Sequence, residues 1–377
     1  MRGIKPILAT AAVCLLLAGC MNAKELRQRT IIEAIGVDWA DGEYRLTMQK
    51  LSPEAGAEGA EKKSTLVQTA GSTVSEALEQ VAYYHGNLVF LGNSNDVIIG
   101  RAAAEQGLEQ VLSSLNGNYQ VTPEIHTVMA QDTAEAVLRC QAGEEGVTSA
   151  PIQELLEQGE KNGLIGRNSL REILSRYQGG QSEPYLPVVQ VTGGGEEQRL
   201  QITGMAIFRE GKLADVLDLS LAQGVLLATD ELPHSMLTVA WGQDTASVRL
   251  TDSRTRLRTA ITPQGVPRLT LDISCTVQVR EVVSPGGGGA GPEDQEQIQR
   301  LVEEQLRDQV RRALDRVFVQ DRCDVFRYGE FLRKQQPKWW KANESAWEQW
   351  MPRVEFDLQV SCTIPRPSQE AWYRQGS

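Results

Sequence analysis

Ile31-Ile32-Glu33-Ala34-Ile35-Gly36-Val37-Asp38, followed by Asp41-Gly42 and then Tyr44-Arg45-Leu46-Thr47-Met48, decides the fold class. The first run is almost wholly apolar, as in a strand buried on both faces. Asp-Gly supplies the two left-handed residues of a tight hairpin turn, and an alternating strand follows. The chain therefore opens on a sheet. Helical spacing takes over at Thr73-Val74-Ser75-Glu76, a capping box leading into Val74, Ala77, Leu78 and Val81. A strand region from Leu88 to Ile99, interrupted by Asn93-Ser94-Asn95-Asp96, precedes a helix bearing Leu108, Val111, Leu112 and Leu115. Residues 123–129 read as extended, and Asp132-x-x-Glu135 opens a helix carrying Val137 and Leu138. Two more helices are expected around Ile152, Leu155, Leu156 and around Leu170, Ile173, Leu174. Alternation of strands and helices predicts a mixed α/β domain over 20–194, closed by the link Gly193-Gly194-Gly195.

The second domain, 195–377, restarts with a hairpin, Ile202–Phe208 and Leu213–Leu217 around Glu210-Gly211. A helix is expected over 219–227, then long strands over 236–240, 247–259 and 269–283. Leu271, Ile273, Cys275, Val277 and Val279 alternate clearly, so the last of these is half-buried. A glycine-rich linker at 285–291 leads to an amphipathic helix over 293–318, striped by Ile298, Leu301, Val302, Leu306, Val310, Leu314 and Val317. One or two helices over 324–333 and 344–351 precede a closing strand, 354–364. The fold class is α+β or mixed α/β, multi-lobed, with two to three mixed sheets and packed helices.

At the N-terminus, Arg2 and Lys5 precede a short apolar run from Pro6 to Ala18, which ends in Leu17-Ala18-Gly19-Cys20. This run is too short for a membrane-spanning helix, but it fits a signal peptide over 1–19. Small residues before a cysteine are what a lipoprotein signal peptidase reads. The Cys20 thiol is then acylated with palmitate-type chains and becomes the first residue of the mature protein. Several acyl chains on one residue anchor it far better than a single myristoyl group. Past residue 20 no apolar run approaches a transmembrane length, so lipid on Cys20 is the one membrane anchor expected.

Net charge is −11, and two units more negative once Arg2 and Lys5 leave. That argues against nucleic-acid binding and against adsorption on anionic head groups. Cys140, Cys275, Cys323 and Cys362 are widely spaced and lack a C-x-x-C pair, so they read mainly as buried free thiols. An oxidising exterior would leave three pairings open.

No hydrolase elbow, P-loop, H-E-x-x-H or Ca²⁺ loop occurs. Gly286, Gly288 and Gly291 satisfy G-x-G-x-x-G trivially, and the helix behind them opens with Glu293-Asp294, which repels a pyrophosphate. His85, His126 and His234 stand in separate contexts and point to no metal or catalytic group. No catalytic residue, cofactor or metal is expected. Trp339, Trp340, Trp347, Trp350 and Trp372 crowd the C-terminus among Lys338, Lys341 and Arg353. Most are expected to pack under the closing strand. Trp340 is expected to be the exposed one, since helical neighbours cannot both face the core.

Three motif blocks in register resemble the Ger(x)C spore germination lipoproteins. Cys20 and Lys24-Glu25-Leu26 lead into Ala34-Ile35-Gly36-Val37-Asp38, similar to the family's start. Gly204-Met205-Ala206-Ile207-Phe208 with Gly211-Lys212-Leu213 resembles its central hairpin. Asp324-Val325-Phe326-Arg327-Tyr328-Gly329, Pro337-Lys338-Trp339-Trp340 and Trp347 resemble its C-terminal pattern. The glycine-rich insert and the scattered cysteines depart from the pattern.

The resemblance implies a non-enzymatic C subunit of a nutrient germinant receptor. It would sit at the outer face of the spore inner membrane beside two integral membrane subunits, A-type and B-type. The same resemblance implies a three-lobed shape, with the second half divided near Pro233 or at the glycine run. The alternative is a free-standing solute-binding lipoprotein, which requires two doubly wound lobes around a cleft. The long strands between 236 and 283 speak against it.

Overall fold

The computed structural model describes residues 29–51, 64–85, 88–118, 120–142, 150–178, 182–284 and 292–365. The signal segment, Cys20, the glycine-rich run and Trp372 lie outside the described residues.

The opening hairpin is β1 (Arg29–Ala40) and β2 (Glu43–Leu51), with Asp41 and Gly42 at φ 55° and 84° as the Asp-Gly turn requires. Next come β3 (Ser64–Gly71), α1 (Val74–His85), β4 (Leu88–Phe90), β5 (Asp96–Ile99), α2 (Arg101–Gln106) and α3 (Glu109–Gly117). They are followed by β6 (His126–Ala130), α4 (Ala134–Ala142), α5 (Ala150–Lys161), α6 (Leu170–Gln178), β7 (Tyr185–Thr192), β8 (Arg199–Arg209) and β9 (Lys212–Asp218).

One nine-stranded sheet takes them all, ordered β3-β2-β1-β5-β6-β7-β8-β9 with β4 beside the start of β1. The middle of this path, β1-β5-β6-β7, is parallel, and every residue of β5 is buried. Helices cover both faces. Ala77 and Val81 of α1, Leu112 of α3 and Ile173 of α6 pack on one side; Val137 and Leu138 of α4 and Ile152 of α5 pack on the other.

Two strands escape the sequence pattern. β3 is an edge strand paired only with β2. β7 is central in spite of Pro187, because parallel pairing with β6 starts at Val188, one residue beyond the missing donor. Sheet pairing does not stop at Gly193–Gly195, which lie between β7 and β8. β8 and β9 form the far edge of the first sheet, so sheet pairing runs through to Asp218 and the glycines are a loop within it.

Asp218 then caps α7 (Leu219–Ala228), its Oδ1 accepting from Leu221 N at 2.8 Å. The second sheet, β10 (Ser235–Trp241), β11 (Asp244–Ile261), β12 (Pro267–Val283) and β13 (Glu355–Thr363), is antiparallel except for the β12–β13 pair. α8 (Pro292–Ala313) lies on its inner face through Ile298, Val302, Leu306 and Val310. It ends in a π-helical stretch, Leu314–Gln320, whose wider turn suits a change of side-chain direction. There Phe318 sits in a cluster with Phe326, Tyr328, Trp347 and Phe356, centroids 5.4–6.2 Å apart. Three short helices, α9 (Tyr328–Gln335), α10 (Pro337–Asn343) and α11 (Trp347–Trp350), complete the chain before β13.

The fold is thus mixed α/β with two sheets. Buried side chains on both sides of Pro233 and of residues 285–291 belong to one hydrophobic cluster. The mostly antiparallel second sheet is not a second doubly wound lobe.

Candidate functional site

The motif residues act first as backbone anchors. Asp38, at the end of β1, accepts from Ala134 N at 2.8 Å and Glu135 N at 3.0 Å, capping α4. Burial raises its carboxyl above the usual range and the two N–H groups oppose that. Thr133 adds a second cap to Ala136 N at 3.2 Å, so the helix opens one residue later than Asp132-x-x-Glu135 suggests. The glycine of the central hairpin, Gly204, has the carbonyl of Leu217 only 1.9 Å from where a Cβ would stand. Glu210 and Gly211, at φ 51° and 77°, make the turn.

Asp324 is the third anchor, fully inside. It accepts from Tyr328 N at 2.9 Å, Gly329 N at 2.7 Å and Trp347 Nε1 at 3.2 Å. Burial pushes its carboxyl up to about 6 in spite of these three donors. Gly329 is squeezed between Asp324, Trp340 and Trp347, leaving no room for a side chain.

Beside Asp324 the two sheets are clamped together. Arg176 of α6 is 3% exposed and lies 4.5 Å over the ring of Tyr185. It pairs with Glu231 from the second half, donates to the Val325 carbonyl at 3.2 Å, and lies 3.5 Å from Glu172. Tyr185 donates to the other Glu231 oxygen at 2.6 Å. Glu183 N donates to the Asp324 carbonyl at 3.2 Å, and Arg316 pairs with Asp215 at 2.8 Å across the same boundary. The core of the second half also takes in Tyr185, Met205, Ile207 and Leu217 from the first sheet. Nothing in the sequence marks Arg176 as buried except its place three residues after Ile173 on the apolar stripe of α6.

An open cleft of ≈ 910 Å³ lies next to the joint, between β11, α9 and the end of α7. Its acids and bases are largely spent on one another. Arg258 pairs with Asp272, Arg327 and Lys334 with Glu330, and Arg254 with Asp230. Such a lining offers little net charge for gripping a small ion.

The tryptophans correct one expectation. Trp340 is 5% exposed, packed on Trp347 with centroids 5.4 Å apart, whereas Trp339 is the half-buried neighbour. Trp339 leaves the core to donate to the Gly265 carbonyl in the β11–β12 turn at 2.9 Å. Among the described histidines, His126 Nδ1 lies 2.8 Å from Asn168 Oδ1 and His234 is on a separate loop. Among the described residues, no group of His, Cys, Asp and Glu is placed to hold a metal ion. The described cysteines are free thiols, three buried and Cys140 half-buried.

A family model for the spore germination protein N-terminal domain matches residues 22–191, and one for the spore germination B3/GerAC-like C-terminal region matches residues 203–368. The chain belongs to the GerAC-like spore germination family. Among its GerAC-like relatives is spore germination protein KC of Bacillus subtilis (strain 168), 21% identical over 380 residues covering 93% of both chains. Another, the putative spore germination protein YfkR of the same organism, is 26% identical over 220 residues, 54% of this chain and 55% of the relative. The crystal structure of the GerBC protein superposes with a TM-score of 0.60 at 14% identity, over 88% of this chain and 97% of that one. That likeness establishes a shared fold for this GerAC-like chain. Among the described residues, no helix is long and apolar enough to cross a membrane.

Proposed function

We propose that this chain is a non-enzymatic, lipid-anchored subunit of a nutrient germinant receptor, held by acylated Cys20 at the outer face of the spore inner membrane. Its two-sheet body docks on two integral membrane subunits, A-type and B-type, and serves assembly or signalling of that complex. The observation that carries this reading is the use of the family motifs. Asp38, Gly204, Asp324 and Gly329 go into capping, close backbone approach and the joint, while Phe326, Arg327 and Tyr328 of the same C-terminal motif line the open cleft beside it. A body whose motif residues hold its lobes in one arrangement suits a docking scaffold.

The test is purification of an affinity-tagged full chain from detergent-solubilised membranes of dormant spores. Two integral membrane proteins recovered in fixed ratio are the expected result. Recovery of the chain alone, or with a permease or a small molecule, would overturn it.

A further inference from the structure

Cys275 of β12 and Cys362 of β13 are direct partners in the parallel register of the second sheet. They continue a ladder of inward-facing pairs, Leu271 with Leu358 and Ile273 with Val360, beneath α8. Both are 5% exposed. Neighbouring strands lie about 4.8 Å apart, inside the range of Cα separations that a disulfide spans. Each thiol shifts the other: Cys362 lowers that of Cys275, and Cys275 raises that of Cys362. Neither other thiol competes. Cys323 is fully buried with its thiol pushed up to about 12 by burial, and Cys140 belongs to α4 of the first sheet.

We propose that Cys275 and Cys362 are a modification site at which an external disulfide oxidant installs a reversible disulfide bracing β13 against β12. Cys275, whose thiol is lowered by the neighbouring Cys362, is the attacking sulfur. Its thiolate attacks one sulfur of the oxidant's disulfide, forming a mixed disulfide and releasing the oxidant's first thiolate. Cys362 loses its proton and attacks the Cys275 sulfur. That forms the intramolecular bond, breaks the mixed disulfide and releases the second thiolate. Two electrons and two protons thus leave the protein, and the oxidant becomes a dithiol or two thiols.

Two features make the site conditional. β13 is the edge strand of its sheet, so its opening gives the oxidant access to otherwise covered sulfurs. In-register Cβ atoms must also be drawn closer than strand spacing leaves them, which makes the bond easier to reduce than an unstrained one. The bond closes a loop of about 90 residues containing α8 and all the tryptophan helices, so it removes much freedom from the unfolded chain.

The experiment equilibrates the purified full chain in glutathione buffers of increasing oxidising strength. Samples are acid-quenched, alkylated after unfolding and mapped by peptide mass, and thermal unfolding is followed in parallel. The Cys275 and Cys362 peptides should appear joined, two hydrogens lighter, while Cys140 and Cys323 stay alkylated. The unfolding midpoint should rise by several degrees on oxidation, a rise that Cys275→Ser abolishes. Complete alkylation of Cys275 and Cys362 in the most oxidising buffer, or their linkage to glutathione, Cys140, Cys323 or a second molecule instead, would overturn the proposal. So would a linked pair with no change in midpoint. The mapping on the unmodified sequence stands even if the serine variant fails to fold.

Discussion

Arg176 and Glu231 meet across the boundary between the two sheets, a guanidinium with 2% of its side chain exposed paired with a carboxylate at 19%. Tyr185 holds the second Glu231 oxygen, and the Val325 carbonyl takes another guanidinium N–H, so the charges are both paired and hydrogen-bonded. That satisfaction is what makes so buried a pair tolerable.

Arg176→Met should therefore cost about 3 kcal/mol or more, because it leaves the Glu231 charge without its cationic partner and the Val325 carbonyl without that donor. Urea unfolding followed by far-UV circular dichroism checks this. A variant within about 0.5 kcal/mol of the parent would show that the clamp adds nothing.

Asp96 sets the expected pH response. Its carboxyl is wholly buried without a hydrogen-bond partner, and burial pushes its pKa up to about 8 from 3.8. The folded state thus holds a proton that the unfolded state releases above about pH 4. The stability this confers is complete below pH 4, falls as pH rises toward 8, and is flat beyond. Asp96→Asn should be the more stable protein at pH 8 by a few kcal/mol, with a shallower stability profile between pH 4 and 8. Denaturant titrations at several pH values give both profiles, and parallel curves would refute the assignment.

Gly204→Ala places a methyl group against the Leu217 carbonyl, 1.9 Å away, in the paired strands β8 and β9. Backbone must move, at a cost of about 2–4 kcal/mol. The midpoint of thermal unfolding should drop by several degrees, and hydrogen exchange should rise first along β8 and β9.

Asp38→Ala removes the cap on Ala134 N and Glu135 N while Thr133 remains. A loss of about 1–2 kcal/mol is expected, confined to the α4 region when followed by hydrogen exchange.

Cys20→Ala should leave the body folded but unanchored. The circular dichroism spectrum of the secreted variant should match the parent's, and germination should fail or slow. Normal germination with the unlipidated protein would contradict the proposed anchoring role.

Much of the molecule can be read locally. The Asp41-Gly42 and Glu210-Gly211 hairpins, the capped α1, the striped α8 and the alternating β12 are all patterns spanning a few residues, and each forms as expected. At α1 the cap is the anticipated one, Glu76 N donating to Thr73 Oγ1 at 3.1 Å while Glu76 reaches back to Ser72 N at 2.8 Å. The family motifs are equally legible, though not the work they do: that Asp38 caps a helix almost a hundred residues away depends on the β1–β5–β6 stacking.

By itself, then, the chain's order of apolar and turn residues determined most of the segments that become helix or strand, β3 and β7 excepted, because periodicity and left-handed turn positions are properties of neighbouring residues. Only the tertiary structure decided which strands pair. It placed β7 at the sheet centre despite Pro187, carried β8 and β9 onto the first sheet past three glycines, and turned Trp340 rather than Trp339 inward. It also buried Arg176 and set Cys275 beside Cys362. Each of these is a choice between partners far apart in the chain, settled by which arrangement buries the most apolar surface while leaving the fewest polar groups unpaired.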